Sequence, residues 1–381
     1  MDSYIQRSYF ADLVHEITHG SKIIILYGPR QVGKTTLVRE VLKHVSGRHL
    51  VINADNSPIV DVLSSRNISR LSDLVSGYEV LFVDEAQRVP EIGINLKILH
   101  DEMPQLKLLV TGSSSLELAS KTREALTGRT LSYQLYPISI LELEKAHTRF
   151  ELRQQLDSQL IYGMYPDILT QEDKTKKIRY LRELASSFLY KDILELTNIK
   201  HADKLTDLLR LIAFQIGSEV SLTELGGQLG MAKETVETYL DLLEKSFVIF
   251  RLRGYSKNLR KEVTKMNKYY FYDLGIRNII IENLNPLSLR NDVGALWENF
   301  LIVERRKSLA YSNSYGGFYF WRTYDQQEID YVEEKDGQLN AFEFKYGHKK
   351  VKVPAAWAKA YPEASFQNIN PENYLEFLGI K

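Results

Sequence analysis

A chain of 381 residues is too long for one hydrophobic core of ordinary size, so two or three domains are expected. Apolar residues make up 44% and charged residues 26%, which is typical of globular proteins and excludes a disordered or fibrous chain. Basic and acidic residues balance at 49 each, so a basic surface for nucleic acid would have to be local. The lack of cysteine and of long apolar runs excludes thiol chemistry and a membrane span, and predicts a cytoplasmic protein with no membrane partner.

The first element is a short apolar run, Lys22–Tyr27, with the β-branched composition of a buried parallel strand. It leads into Gly28–Thr35, a full match to the GxxxxGK[ST] pattern, and helical spacing follows from Thr36. Strand, glycine-rich loop and helix therefore occur in the order that a phosphate-binding loop requires, with backbone N–H groups facing phosphate oxygens. The predicted ATP-binding residues are Gly28, Pro29, Arg30, Gln31, Val32, Gly33, Lys34, Thr35 and Thr36.

A second apolar strand, Tyr78–Val83, ends in the two carboxylates of Asp84 and Glu85. Beside the loop, Lys34 is expected to reach the β- and γ-phosphates, and the Thr35 hydroxyl to ligate Mg²⁺. Asp84 is expected to hold the Mg²⁺ through its water shell, and Glu85 to orient or deprotonate the attacking water. These residues predict Mg²⁺-dependent ATP hydrolysis. The alternative for Asp84 and Glu85 is a solvated acidic turn.

A third strand, Leu106–Val110, is followed by the polar run Thr111–Ser115. Polar side chains at this strand end are placed to sense the γ-phosphate and to help position the attacking water. Ser113 is the first candidate for that role and Thr111 the second. A polar turn that caps a helix explains the same residues about as well.

Four runs, Asp84–Pro90, Thr111–Ser114, Leu126–Thr130 and Leu135–Ser139, together resemble a prokaryotic family of AAA+-type ATPases that includes the archaeal ATPase group. The resemblance covers nearly the whole chain. It implies an ATPase domain, a helical and winged-helix middle and a C-terminal nuclease-like domain. It also makes Arg129 a candidate arginine finger or sensor, acting in cis or on a neighbouring subunit of a homo-oligomer. A surface salt bridge is the alternative for Arg129.

The middle of the chain divides into two helical parts. From Glu142 to about Lys200, apolar residues at helical spacing predict a helical lid, which Gly163–Pro166 interrupts with a turn. From Leu205, three helical stretches precede two β-rich runs, Phe247–Arg253 and Lys268–Asp273, which is a winged helix-turn-helix pattern. Within it, Ser221 and Glu224 form a capping-box pattern at the start of the second helix.

The connector between the two β-rich runs is basic and predicts salt-dependent, non-specific binding to the backbone of DNA or RNA. Against base-specific reading, the third helix carries Glu234 and Glu237, which would face a polyanion. Winged helices also bind proteins, so that alternative stays open. The candidate nucleic-acid-binding residues are Arg251, Arg253, Lys257, Arg260 and Lys261.

The last hundred residues carry a spaced set of carboxylates. Glu298 lies in a helical run, and Asp330, Glu343 and Lys345 lie in strand-like runs whose alternation places Glu343 and Lys345 on one face. The set resembles the PD-(D/E)XK nuclease fold, with Asp330 and Glu343-x-Lys345 as its motif and Glu298 as the accessory acid. That resemblance implies a second divalent metal, which would lower the pKa of the attacking water. A salt-bridged strand, or a nuclease scaffold without activity, is the alternative.

The predicted fold is α/β: a P-loop ATPase core at residues 1–142, a helical lid at 143–203, a winged helix at 204–284 and a PD-(D/E)XK-like domain at 285–381. The leading functional hypothesis is an ATP-driven switch that acts on nucleic acid. A regulatory ATPase whose nuclease-like domain binds protein partners is the rival. A metal-dependent nuclease in which nucleotide binding is only structural is the third hypothesis.

Overall fold

The computed structural model describes residues 4–55, 57–112, 126–187, 202–256, 267–348 and 351–380. The chain divides into two compact units. The amino-terminal unit consists of Gln6–Pro137 with Lys245–Phe247, and the carboxy-terminal unit mainly of Ile138–Glu244 and Val248–Lys381. Among the described residues, none of the helices combines the length and apolar character that crossing a membrane requires.

The amino-terminal unit contains a five-stranded parallel sheet in the order β2-β3-β4-β1-β5. Helices and strands alternate along most of its chain, as the crossovers between parallel strands require. Its described elements are α1 (Phe10–His19), β1 (Ile23–Tyr27), α2 (Lys34–Leu42), β2 (His49–Asn53), α3 (Ser57–Leu63), α4 (Ile68–Val75), β3 (Val80–Asp84), α5 (Ile92–Glu102), β4 (Lys107–Gly112) and β5 (Thr130–Gln134).

The central strands of this sheet are apolar because helices cover them. In β1 and in β3, the first four residues are all buried, as expected for parallel strands inside an α/β layer. Leu96 and Leu99 of α5 belong to the same hydrophobic core as these strands. Since β1, β3 and β4 are parallel, their carboxyl ends meet at one edge of the sheet, which we call the carboxyl edge. The residues that follow these three strands are therefore brought together.

The carboxy-terminal unit begins with helices and ends with a mixed sheet. Its described elements are α6 (Ile140–Leu143), α7 (Arg149–Tyr162), α8 (Pro166–Thr170), α9 (Lys174–Ser187), α10 (Ala202–Phe214), β6 (Glu219–Val220), α11 (Leu222–Leu229), α12 (Lys233–Lys245), β7 (Ile249–Gly254), β8 (Asn267–Phe271), α13 (Leu274–Ile280), α14 (Val293–Tyr311), β9 (Gly317–Arg322), β10 (Glu328–Lys335), β11 (Gln338–Phe344), α15 (Ala355–Ala360), β12 (Ser365–Ile369) and α16 (Tyr374–Phe377).

One seven-stranded sheet runs through this unit in the order β12-β11-β10-β9-β7-β8-β6. The parallel pairing of β7 with β9, which aligns Arg253 with Tyr319, joins the segment predicted as a winged helix to the segment predicted as nuclease-like. The elements α10, β6, α11, α12, β7 and β8 follow one another in the order expected of a winged helix. The predicted boundary between residues 284 and 285 therefore separates segments that share a sheet.

The helices predicted as a lid, α7 to α9, group with the carboxy-terminal unit rather than with the ATPase core. The predicted turn at Gly163–Pro166 lies between α7 and α8. Gly163 has φ +79°, and a Cβ there would lie 2.1 Å from Oδ1 of Asp273, whose other oxygen accepts from Met164 N at 2.7 Å. Asn278 of α13 donates to the carbonyls of Leu160 and Ile161 at 2.9 Å. The lid helices are thus tied to the element that follows the predicted wing.

Helix α14 holds the first residues of the carboxy-terminal unit through a buried ion pair. Glu304 and Lys307 are each about 1–2% exposed, and their side chains form an ion pair of 2.5 Å. Glu304 also accepts from Ile140 N at 2.7 Å, and Lys307 donates to the Ile138 carbonyl at 3.0 Å. Both charges are therefore satisfied by named partners, as buried charges must be.

Candidate functional site

The glycine-rich loop between β1 and α2 has the backbone conformation that the sequence pattern predicts. Gly28 has φ +152° and Gly33 has φ +95°, and a Cβ on Gly28 would lie 2.2 Å from the Leu135 carbonyl oxygen. Only glycine is free of strain in these conformations. The loop includes Pro29, half-buried Arg30, exposed Gln31 and buried Val32, while Thr36 lies exposed in the first turn of α2.

Lys34, the first residue of α2, is 4% exposed. Its Nζ donates to the carbonyls of Gly28 at 2.8 Å and Pro29 at 2.9 Å, so the ammonium group lies over the loop. The amino end of α2 adds its positive dipole at the same place. The loop thus presents a buried cation and a helix N-terminus to any bound phosphate.

Three side chains meet at the carboxyl edge beside this loop. Thr35 Oγ1 donates to Asp84 Oδ2 at 2.8 Å, and Thr111 Oγ1, from the end of β4, donates to Asp84 Oδ1. A hydroxyl and a carboxylate at this spacing are the hard oxygen ligands that Mg²⁺ prefers. The residues present therefore fit the metal ion that the loop pattern implies. Thr111 contacts Asp84, while Ser113, the first candidate from the sequence, lies outside the described residues.

Glu85 is held by two neighbours. Its backbone has φ +54°, an unusual conformation for a residue with a side chain. Its N–H donates to Thr111 Oγ1 at 3.2 Å, and its carboxylate accepts a hydrogen bond from Gln87 Nε2. Thr111 therefore contacts both predicted acids. Sequence reasoning assigned no role to Gln87, although it stands two residues after Glu85.

Arg129 lies at the opposite end of the sheet from the loop. Its carbonyl accepts from Ile23 N at 2.8 Å, and Ile23 begins β1, whereas the loop follows Tyr27 at the end of that strand. Four residues of strand separate the two ends by about 13 Å. Its guanidinium donates to both oxygens of Asp101, at 2.7 and 3.0 Å, and this bond lowers the pKa of Asp101 to about 2. In this structure Arg129 therefore forms a surface ion pair with Asp101, and its role as a finger or sensor, in cis or in trans, stays a prediction.

The predicted C-terminal motif converges at adjacent strands. Lys345 Nζ lies 2.7 Å from Glu343 Oε1 and 3.9 Å from Asp330 Oδ2, and Asp330 Oδ2 accepts from Phe344 N at 2.8 Å. Asp330 and Glu343 are 8% and 9% exposed. Burial raises the pKa of each carboxyl, and the nearby Asp330 charge adds to that effect on the pKa of Glu343.

Glu298, on α14, is bound by residues of β8 that sequence reasoning missed. Its Oε1 accepts from Tyr270 OH at 2.6 Å and lies 3.4 Å from Lys268 Nζ. Lys268 is 1% exposed and also forms an ion pair with Glu328. Burial raises the pKa of Glu298 to about 7, with Lys268 opposing that rise. For Lys268, the surrounding carboxylates outweigh burial, so its pKa is raised.

These carboxylates and their lysines form what we call the acid–lysine cluster: Lys268, Glu298, Glu328, Asp330, Glu343 and Lys345. The structure does not support a second metal ion at this cluster. No three His, Cys, Asp or Glu side chains among the described residues are arranged to hold a metal. Lys268 and Lys345 instead pair with the acids directly. In this structure the acids of the cluster are thus paired with lysines, and a second metal ion stays a prediction.

The residues predicted to bind nucleic acid are only partly described. Arg251 Nε donates to both oxygens of Glu244, at 2.7 and 3.0 Å, so its charge is already paired. Arg253 is exposed. Lys257, Arg260 and Lys261 lie outside the described residues, and the prediction for them stays untested.

Three segments of the chain match family models. Residues 20–144 match an AAA domain, residues 153–287 match a domain of unknown function (DUF8612), and residues 293–369 match another (DUF4143). Among curated proteins, the chain is 29% identical over 350 residues to an uncharacterized protein of Mycobacterium tuberculosis, covering 90% of this chain and 74% of that one. An uncharacterized protein of Methanocaldococcus jannaschii is 22% identical over 369 residues, covering 92% and 81%.

Among solved structures, the Walker-type ATPase of Pyrococcus abyssi matches with a TM-score of 0.52 and 16% identity, covering 73% of this chain and 96% of that one. At that identity, the match shows the P-loop NTPase fold and nothing more. Together with the match of residues 20–144 to an AAA domain, it supports a P-loop ATPase fold for that part of the chain. The winged-helix and nuclease-like identities of the later segments stay predictions.

Proposed function

We propose that this protein is a Mg²⁺-dependent ATPase whose hydrolysis drives a conformational switch, with the carboxy-terminal unit giving the output. The observation that carries the ATPase assignment is the meeting of Thr35, Asp84 and Thr111 beside the glycine-rich loop. Bound Mg²⁺ would neutralise charge on the phosphates and polarise them. Lys34 binds the phosphates, Thr35 and Asp84 hold the metal ion, and Glu85 accepts a proton from the attacking water.

The contacts of Thr111 support a role in positioning both predicted acids. Its hydroxyl donates to Asp84, and it accepts from the Glu85 N–H. The metal-holding acid and the water-orienting acid are therefore fixed relative to each other by one side chain. Thr111 takes the sensing role for which Ser113 was the first candidate from the sequence.

The test is ATP hydrolysis by Lys34→Ala beside the surface variant Lys43→Ala. Lys43 directly follows the same helix, but it is exposed and pairs with half-buried Glu40. We expect Lys34→Ala to lose hydrolysis and Lys43→Ala to keep it, both with added Mg²⁺. Equal hydrolysis by Lys34→Ala and wild type would refute the assignment, as would hydrolysis that persists when Mg²⁺ is chelated.

Nucleic acid is the proposed substrate of the switch, and the exposed Arg253 beside the basic connector supports it. Binding through phosphates would weaken steeply with salt. Titration of labelled duplex and single strands at two salt concentrations measures this, with and without ATP. Absence of salt-dependent binding would favour the rival, in which the carboxy-terminal unit binds a protein partner.

Cleavage of nucleic acid is the second candidate function, and the convergence of Asp330, Glu343 and Lys345 favours it. The pairing of the acids with lysines weighs against it. A cleavage assay on DNA and RNA with Mg²⁺ or Mn²⁺ tests whether the protein is a nuclease. It uses the variant Asp330→Asn, with Lys335→Met as a surface control. Cutting that Asp330→Asn loses and Lys335→Met keeps would establish a nuclease. Asp330→Asn is expected to spare ATP hydrolysis in either case.

A further inference from the structure

Arg7 is a buried arginine that touches the glycine-rich loop from the segment before α1. It is 3% exposed, although arginine is among the residues least often buried. Its Nη1 donates to the Val32 carbonyl at 2.7 Å, and its Nη2 donates to the Tyr136 carbonyl at 2.5 Å. The planar guanidinium thus bridges two backbone segments that are more than a hundred residues apart in sequence.

The bond to Val32 determines how the loop presents its next N–H. In a planar trans peptide, the carbonyl of one residue and the N–H of the following residue point in opposite directions. With the Val32 carbonyl held towards Arg7, the Gly33 N–H points away from Arg7. Gly33 is the residue with φ +95° just before α2, where a phosphate-binding loop directs its N–H groups at the phosphates.

The bond to Tyr136 anchors the other side of the loop. Leu135 N donates to the Tyr27 carbonyl at 2.7 Å, and the Leu135 carbonyl oxygen fills the space that a Cβ on Gly28 would need. The backbone at Leu135 and Tyr136 therefore packs against the start of the loop. Arg7 links this backbone segment to Val32, near the end of the loop. Contacts thus stabilise the loop at both ends.

We propose that Arg7 is a positioning residue for nucleotide binding, which fixes the Val32–Gly33 peptide and braces the loop against Tyr136. This inference rests on the proposed function, since it requires ATP at the glycine-rich loop. Arg7 itself contacts backbone carbonyls and acts on nucleotide through the loop. Lysine cannot replace it, because a single ammonium group lacks the fork that spans two carbonyls.

The test is nucleotide affinity and hydrolysis in Arg7→Lys and Arg7→Met. The matched control is Arg277→Lys in the carboxy-terminal unit, where Arg277 is 1% exposed and donates to the Ala213 carbonyl at 2.9 Å. Charge-assisted bonds of this kind correspond to roughly tenfold to hundredfold changes in a binding constant. We expect both Arg7 variants to bind ATP at least about tenfold more weakly per folded molecule, and Arg277→Lys to bind it as wild type does.

Amide hydrogen exchange separates positioning from a general loss of stability. In Arg7→Lys, exchange should rise in peptides covering residues 28–33 and 135–137, and in Arg277→Lys it should not. Wild-type affinity in both Arg7 variants would overturn the inference while leaving the ATPase assignment standing. Failure of the wild-type protein to bind ATP would instead refute the proposed function. If Arg7→Met fails to fold, Arg7→Lys and the exchange pattern decide.

Discussion

Replacing Glu298 by glutamine is expected to remove much of the pH dependence of stability in the carboxy-terminal unit. Burial raises the pKa of this carboxyl from an ordinary value of 4.5 to about 7, Lys268 opposes the rise, and the Asp330 charge adds to it. Tyr270 donates to the same carboxyl, and Glu328 lies nearby. Glutamine keeps the shape and an oxygen for the Tyr270 hydroxyl, but it carries no titrating proton.

The sign of the effect follows from which state binds the proton more tightly. Between pH 4.5 and about 7, the folded protein holds a proton on Glu298 that the unfolded chain has released. Stability from this group is therefore fully present below pH 4.5 and is lost as pH rises towards 7. Each pKa unit corresponds to about 1.4 kcal/mol, so the shift amounts to roughly 3 kcal/mol. Most of this loss, about 2.5 kcal/mol, falls between about pH 5 and about pH 8.

Tryptophan fluorescence during urea unfolding provides the assay. The three tryptophans of the chain, Trp297, Trp321 and Trp357, all lie in the carboxy-terminal unit. Their signal therefore reports the unit that contains Glu298. The free energy of unfolding is compared for wild type, Glu298→Gln and the exposed control Glu363→Gln across this pH range.

We expect the free energy of unfolding of Glu298→Gln to rise relative to that of wild type as pH rises. Glu363→Gln should track wild type throughout. A difference that changes by less than about 1 kcal/mol over the range would refute the reasoning, because extrapolation error is of that order. A change in the control as large as the change in Glu298→Gln would refute it as well.

Three further outcomes follow from the contacts. Thr111→Val removes the hydroxyl that joins Asp84 to Glu85, so ATP turnover in a steady-state assay should fall by about tenfold or more. The affinity for ATP, measured by titration, should stay within about threefold of wild type. Arg129→Ala should leave turnover within about twofold of wild type; a loss that mixing with wild-type subunits restores would show action in trans. Lys307→Met leaves Glu304 buried without its cation and should lower the free energy of urea unfolding by about 3–5 kcal/mol; an unchanged value would mean that the pair contributes little.

The loop and the acids beside it were predictable because their signals are local or governed by sheet geometry. Gly28 and Gly33 stand where the loop backbone has positive φ, which favours glycine. Asp84 ends a strand whose carboxyl end must lie beside the loop in a parallel sheet. The contact of Thr111 with Asp84 was harder to predict, because it depends on how β3 packs beside β4 rather than on the sequence of either strand alone.

Arg129 shows how sheet geometry bears on a role that only the family resemblance implies. A residue just before a parallel strand lies at the amino edge of the sheet, whereas nucleotide binds at the carboxyl edge. Had β5 been predicted from Thr130 onward, its direction would have placed Arg129 away from the loop. Arg7 gave no such signal, since its partners are backbone carbonyls distant in sequence.

Lys268 escaped prediction because it stands where the basic connector meets the second β-rich run, and lysines at such a place are expected to face water. In the fold it is 1% exposed, and it shares a strand face with Tyr270, both reaching Glu298. An alternation of a lysine with buried aromatics was the available signal. It indicates a side chain on the inward face of a strand, and a lysine there must meet carboxylates.

The charges in the acid–lysine cluster bear on whether the carboxy-terminal unit binds its partner or cleaves nucleic acid. Four carboxyl groups lie beside the ammonium groups of Lys268 and Lys345 and, at Glu328, the guanidinium of Arg322. A pKa raised to about 7 lets Glu298 carry its own proton part of the time. A divalent ion bound by Asp330 and Glu343 would have to compete with Lys345, which already pairs with both carboxylates. The carboxylates of the cluster are therefore already paired with cations without a metal ion. This favours binding over cleavage, and metal-dependent cutting that requires Asp330 would overturn that preference.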